Sequence, residues 1–206
     1  MEKSNTKMEI LDESLKLFAI YGYEATSISM ITEAVGIKKA SLYFHFKNKQ
    51  DILDTLVEAL TDEYSRNSLF ARADFSNPHF VDAAFGDLSP ESVADKIKEQ
   101  ISYVLHNPHI SLVRKLLKIE QFRNEELAKI QGERNYEDIL HFYEELIKYL
   151  IDKKILKAYD TKIMAAQFAF PISMWLDLGD REPDREDELM GLITDHVKQF
   201  FEIYAA

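Results

Sequence analysis

The stretch that decides the fold runs from Thr26 to Lys49 and reads TSISMITEAVGIKKASLYFHFKNK. It begins with Thr26 and Ser27, which are residue types that start helices, and Gly36 near its middle is typical of a helix end. On either side of the glycine, apolar residues recur at helical spacing: Ile28, Ile31 and Val35 before it, Leu42 and Phe46 after it. The spacing therefore predicts two short helices joined by a tight turn, which is the helix-turn-helix arrangement.

The second of these helices and the residues after it carry an unusual charge pattern. The twelve positions from Lys38 to Lys49 contain neither Asp nor Glu. The basic residues are Lys38, Lys39, His45, Lys47 and Lys49, and the neutral hydrogen-bond donors Ser41 and Tyr43 lie between them. Because the second helix of a helix-turn-helix enters the major groove, this pattern points to double-stranded DNA as a partner.

The net charge of the whole chain at first argues against that partner. The 206 residues hold 25 Lys and Arg against 36 Asp and Glu, a formal charge of −11, which should repel a polyanion. The excess is unevenly distributed, since residues 1–50 carry +1 and the other 156 residues carry −12. Screening at cellular salt acts over about 8–10 Å, so a local basic stripe can still bind phosphate.

Composition excludes several enzyme classes. The chain has no cysteine, which excludes disulfides, thiolate catalysis and zinc sites built on Cys. Its six glycines lie at least twelve residues apart, whereas a dinucleotide or P-loop site needs clustered glycines. No Ser, His and Asp set or carboxylate pair stands out. We therefore predict no enzyme and no cofactor.

Two metal-binding spacings are present but weak. His106 and His109 are separated by a proline break, and a solvated helix face explains His141 with Glu144. We therefore predict no metal site.

Nothing in the sequence predicts a membrane segment. The N-terminus lacks the apolar stretch of a signal peptide. The longest uncharged run, Ile163 to Leu176, has fourteen residues and includes Pro171, so it is too short to span a bilayer. We expect a cytoplasmic protein with no membrane partner.

The remaining pattern is helical almost throughout and predicts an all-α protein of about nine helices. An irregular stretch from Ala71 to Ser92 carries Phe75, Phe80 and Phe85, which either pack back on the body or form a lid. The predicted helices outside the helix-turn-helix cover about residues 4–21, 48–64, 91–106, 109–122, 125–152, 163–176 and 186–204.

The segment from Leu42 to Lys49, together with the residues quoted at the start, resembles the DNA-binding signature of the TetR family of bacterial transcriptional regulators. The resemblance covers about residues 8–56. Thr32 departs from it where a small Ala is usual, and Ala40 replaces a common Gly or Pro. The resemblance implies a helix-turn-helix domain in residues 1–50 and a helical ligand-binding and dimerisation domain in residues 51–206.

The resemblance also implies roles for individual residues. The positions that face base edges are Lys38, Lys39, Ala40, Ser41 and Phe44. The positions that hold phosphates are Thr26, Ser27, Tyr43 and Lys47 to Lys49, with His45 on the same surface. The alternative is that Tyr43 and Phe44 belong to the core and that the lysines form an ordinary solvated face.

Family members bind palindromic operators as homodimers, and many respond to a small molecule. The helices at about 162–178 and 186–204 are the candidates for the dimer interface; their alternative role is intrachain core. Candidate ligand contacts are Tyr103, Gln121, Phe122, Tyr143, Gln167 and Trp175, although each could serve ordinary packing. The resemblance favours a repressor released by a small molecule, with docking of a protein partner by the C-terminal domain as the alternative.

Overall fold

The computed structural model describes residues 2–206, except for the side chains of residues 2–5, 67, 78 and 82. Within this part of the chain all regular secondary structure is helical, apart from one isolated β-bridge that pairs Leu156 with Ala205. The predicted all-α class is therefore confirmed. The helices are α1 Glu2–Tyr21, α2 Ile28–Val35, α3 Lys39–His45, α4 Lys49–Asn67, α5 Leu69–Arg72, α6 Pro78–Phe85, α7 Pro90–His106, α8 Pro108–Glu120, α9 Glu125–Gly132, α10 Asp138–Asp152, α11 Thr161–Gly179 and α12 Glu186–Tyr204.

The helices form two compact units. The N-terminal unit contains the chain up to Ala71 together with Leu112–Gly132, and the C-terminal unit contains Arg72–Ser111 and Glu133–Ala206. The chain thus leaves the N-terminal unit, returns to it, and leaves it again. The functional boundary expected near residue 50 stays a prediction.

The N-terminal unit is held together by one apolar core that includes the helix-turn-helix. Fully buried side chains come from α1, α2, α3 and α4, and α8 and α9 add side chains of nearly the same burial. Burying each large side chain contributes about 1.5–3 kcal/mol. The main contributors are Ile10, Leu15, Phe18, Ile31, Leu42, Ile52, Leu53, Leu116 and Leu127.

The C-terminal unit is built around α10, α11 and α12, with α7 packed against α12. The ring of Phe168 on α11 lies 4.8 Å from that of Phe200 on α12 and 5.0 Å from that of Tyr143 on α10. Burial raises the pKa of the Tyr143 hydroxyl above its usual range. A cluster of aromatic rings therefore lies within the core of this unit.

The prediction of an irregular stretch from Ala71 to Ser92 is wrong in part. Helix α6 lies inside it and begins at Pro78, a residue that suits the first turn because its missing N–H needs no partner there. The ring of Phe75 lies 5.3 Å from that of Phe142, and Phe85 is buried beside the same ring. These aromatic side chains thus pack on the C-terminal unit, which is the first of the two alternatives.

The helix expected between Glu125 and Asp152 is confirmed in its extent, but it is not α-helical throughout. Five residues, Glu133–Glu137, form a π-helical turn between α9 and α10. A π turn inserts extra residues into the helical repeat over a very short distance, so the apolar spacing on either side still looks helical. The prediction for α11 agrees with the structure, and Pro171 lies inside that helix.

We predict that Gly36→Ala destabilises the fold by about 1 kcal/mol, because Gly36 has φ +75°, where a Cβ is strained. No atom lies within 4 Å of the position that the new Cβ would take, so the loss of stability would come from backbone strain alone and not from a steric clash. Gly132→Ala is the matched control, since its added Cβ also meets open space but its φ is not positive. Urea denaturation of both variants measures the difference; equal stabilities would contradict it.

Candidate nucleic-acid interface

The start and end of α2 are fixed by local hydrogen bonds. The Ser27 hydroxyl caps the helix by accepting from the backbone N–H of Met30 at 3.2 Å. At the other end the N–H groups of Gly36 and Ile37 donate to the carbonyls of Glu33 and Thr32, which is a Schellman motif. The positive φ of Gly36 turns the chain sharply towards α3, so the two helices are joined as a helix-turn-helix requires.

Helix α3 turns one side towards the core and the other towards solvent. Leu42 is fully buried, and Phe46 at the helix end is 2% exposed. Tyr43 and Phe44 are 52% and 68% exposed, which excludes the alternative that they belong to the core. The remaining predicted contacts on this face are exposed or partly exposed: Lys38, Lys39, Ala40, Ser41, His45 and Lys47.

The link between α3 and α4 is held by two hydrogen bonds from backbone N–H groups to side chains. The amide oxygen of Asn48 accepts from the backbone N–H of Asp51 at 2.8 Å, and the Asp51 carboxylate accepts from the N–H of Lys47 at 2.7 Å. These two bonds satisfy N–H groups around the start of α4. They also fix the backbone at Lys47, whose side chain stays exposed.

Two of the predicted phosphate contacts have structural roles that the sequence did not indicate. Thr26 is 1% exposed, and its hydroxyl donates to the carbonyl of Gly22 at 2.8 Å. The Lys49 ammonium donates to the carbonyls of Tyr23 at 2.6 Å and Thr26 at 3.0 Å, and lies 4.2 Å from the centre of the Tyr23 ring. Both side chains thus stabilise the turn between α1 and α2.

The same turn is held from α8 by a buried carboxylate. Glu120, which is 1% exposed, accepts a 2.7 Å hydrogen bond from the backbone N–H of Tyr23. Tyr23 is therefore fixed through its N–H by α8 and through its carbonyl by α4. Ninety-seven residues separate Glu120 from Tyr23, so no local sequence pattern could have revealed the contact.

The candidate ligand residues are divided between the two units. Gln121 and Phe122 belong to the N-terminal unit, and Phe122 is 89% exposed. In the C-terminal unit Tyr143 is buried, Trp175 is partly buried beside the ring of His196, and Tyr103 is half exposed. Gln167 is exposed and accepts from the Tyr204 hydroxyl.

The weak metal candidates have other partners. The Nε2 atom of His106 lies 3.2 Å from a carboxylate oxygen of Glu186. Hydrogen bonds from Lys148 and Thr161 hold the pKa of Glu144 below its usual value. Among the described side chains no three His, Asp or Glu residues gather as a metal site would require.

Within the same described part of the chain, none of the helices has the length and hydropathy to cross a bilayer.

We predict that Glu120→Ala destabilises the protein by about 1–3 kcal/mol, because it leaves the partly buried N–H of Tyr23 without its acceptor. Glu120→Gln is the matched control, since its amide oxygen can still accept the bond, and it should cost less. Urea denaturation followed by circular dichroism measures both. If the two variants lose the same stability, the hydrogen bond is not what Glu120 contributes.

The sequence is similar to those of known DNA-binding regulators. Residues 10–56 match the family model described as bacterial regulatory proteins, tetR family. IcaR of Staphylococcus aureus (strain Newman), a biofilm operon icaADBC HTH-type negative transcriptional regulator, is 28% identical over 158 residues, which are 74% of this chain and 83% of IcaR.

Solved structures show the same fold over the whole chain. SmeT, the repressor of the Stenotrophomonas maltophilia multidrug efflux pump SmeDEF, superposes with a TM-score of 0.64 at 19% identity, covering 100% of this chain and 93% of SmeT. A SmeT-triclosan complex gives a TM-score of 0.62 at 20% identity, covering 98% of this chain and 92% of that one. The helix-turn-helix and the family match identify residues 10–56 as a DNA-binding segment of the tetR type, and the chain as a whole is similar to IcaR and has the fold of these solved regulators.

Proposed function

We propose that this regulator is a repressor that binds a palindromic operator as a homodimer and releases it when a small molecule binds the C-terminal unit. The observation that carries the proposal is the solvent-facing side of α3, where exposed lysines stand in a stretch without any acidic residue. IcaR is a negative regulator and SmeT a repressor, which supports repression.

The charge distribution supports specific over unspecific binding. Lys38, Lys39 and Lys47 are exposed around α3 and can meet base edges and phosphates. Elsewhere the chain carries a large excess of carboxylates, which oppose adhesion to DNA in other orientations. Binding therefore depends on placing α3 in the groove.

Apolar side chains exposed on α11 and α12 support the proposed dimer. Large apolar residues in water are costly, and five of them lie on these two helices with exposures of 38–64%. Burying them against a second copy would pair two recognition helices, as two half-sites about 34 Å apart require. The residues are Ile163, Phe170, Met174, Leu192 and Ile203.

A ligand site in the C-terminal unit is supported by its aromatic interior and by the triclosan complex of SmeT. Tyr143 and Trp175 are the best-placed candidates, because they are buried or partly buried beside other rings. A ligand would act through its different affinity for the DNA-bound and released states, typically by about 1–3 kcal/mol. A compound that releases DNA supports this proposal, whereas a protein that stays bound on the DNA complex would favour the docking alternative.

We predict that Lys38→Glu combined with Lys39→Glu weakens specific DNA binding by more than about a hundredfold, since each lysine contact to a base contributes about 1–3 kcal/mol and the new charges repel phosphate. The Kd for an operator selected by the protein, measured by fluorescence anisotropy, gives the change. Circular dichroism should show an unaltered fold.

The matched control for this variant is Lys153→Glu combined with Lys154→Glu. These adjacent lysines are also exposed but follow α10 in the C-terminal unit, so the same change of charge is made away from α3. Only a small loss of affinity is expected. A comparable loss in both variants would show that total charge, and not the surface of α3, determines binding.

We predict that Met174→Glu converts the dimer to a monomer, because Met174 is 64% exposed on α11 and a buried, unpaired carboxylate would oppose association. Met8→Glu makes the same substitution at a 54% exposed site on α1 and should leave the dimer intact. Sedimentation velocity reads out the mass. A monomeric parent protein, or a Met174→Glu dimer of unchanged affinity, would contradict the proposed interface.

A further inference from the structure

The part of α3 that points most directly away from the core is apolar. Ala40 and Phe44 each lie two residues from the buried Leu42, which places them about 160° away from it around the helix. They are four residues apart, so they are neighbours on the same face. Both are exposed, and this face is the one that a helix in the major groove turns towards the bases.

Packing in the core does not account for the presence of a large aromatic residue at position 44, because most of the Phe44 side chain is exposed. Phe46, two positions later, is 2% exposed, whereas Phe44 is 68% exposed. The ring of Phe44 meets that of His45 edge to face at 5.2 Å, which restricts the directions that the phenyl group can take. The helix thus presents an oriented aromatic side chain to solvent at the centre of its outer face.

Long side chains that recognise bases through paired hydrogen bonds are missing from this centre, where Ser41 offers a single partly exposed hydroxyl. Arg and Lys recognise guanine, and Asn and Gln recognise adenine, each through paired hydrogen bonds. Helix α3, Lys39–His45, contains no Arg, Asn or Gln, and Lys38 and Lys39 stand at its start. What remains in the middle can make apolar contacts, and the apolar group that base pairs show in the major groove is the C5-methyl of thymine.

We propose that Phe44, together with Ala40, determines operator specificity by packing against thymine C5-methyl groups in each half-site. The inference rests on the proposed function and adds to it the chemical group that the DNA must present. Lys38 and Lys39 act beside this contact, through hydrogen bonds and charge.

The test begins with operators that the full-length protein selects from a randomised duplex pool. Each thymine of a half-site is replaced in turn by deoxyuridine, which keeps the base pair and removes only the methyl group. We expect one or two thymines per half-site at which the Kd rises about fourfold, the change that corresponds to about 0.8 kcal/mol for one buried methyl. Replacing the same thymine by 5-bromodeoxyuridine, whose bromine is similar in size to methyl, should restore binding.

Variants connect the methyl group to Phe44. Phe44→Ala should bind the thymine and deoxyuridine duplexes equally at the sensitive position, while Phe44→Leu keeps an apolar side chain and most of the discrimination. Lys39→Ala is the control: it should weaken binding to both duplexes by the same factor and leave their ratio unchanged. Circular dichroism melting verifies that each variant is folded.

Two results would overturn the inference: no thymine that is sensitive to loss of its methyl group, or a Phe44→Ala variant that keeps the parent's ratio between the two duplexes. Either result leaves the proposed function standing, because an operator has been selected. If the protein enriches no sequence from the pool, the proposed function fails and the inference fails with it.

Discussion

A helix of seven residues does not hold its shape in water, so α3 depends on the burial of Leu42 and Phe46 in the core of the N-terminal unit. That core also contains Leu116 and Leu127, from helices far along the chain. The surface offered to DNA is thus supported by residues more than sixty positions away. The N-terminal fifty residues contain the recognition helix but only part of what positions it.

The turn between α1 and α2 adds a polar constraint to this apolar one. Tyr23 is bound through its N–H by Glu120 and through its carbonyl by Lys49, and its hydroxyl donates to Gln50 at 2.8 Å. Lys49 and Gln50 begin α4, directly after the recognition helix and its link. Because buried N–H and carbonyl groups must be paired, these contacts fix α2 and α4 at a common point.

The sequence alone predicted what depends on neighbours in the chain. Ser27, Gly36 and the spacing of Ile31 and Leu42 were enough for the helix-turn-helix, since capping and apolar periodicity are local signals. Helix α6 and the π turn before α10 were missed, because short segments leave little periodicity to detect. The roles of Lys49 and Glu120 depend on contacts between distant segments. The ligand roles of Gln121 and Phe122 stay predictions, because the same residue types serve both in ligand sites and elsewhere and the sequence does not show which residues share a cavity.

A protein of net charge −11 is proposed to bind a polyanion, DNA, through a small basic surface around α3. The most direct measurement is the dependence of operator affinity on salt between about 50 and 200 mM, where each neutralised phosphate contributes about −0.9 to the slope of log K against log salt. We expect a steep negative slope that becomes shallower in the Lys38→Glu and Lys39→Glu variant. A slope near zero in the parent protein would contradict DNA recognition by this surface.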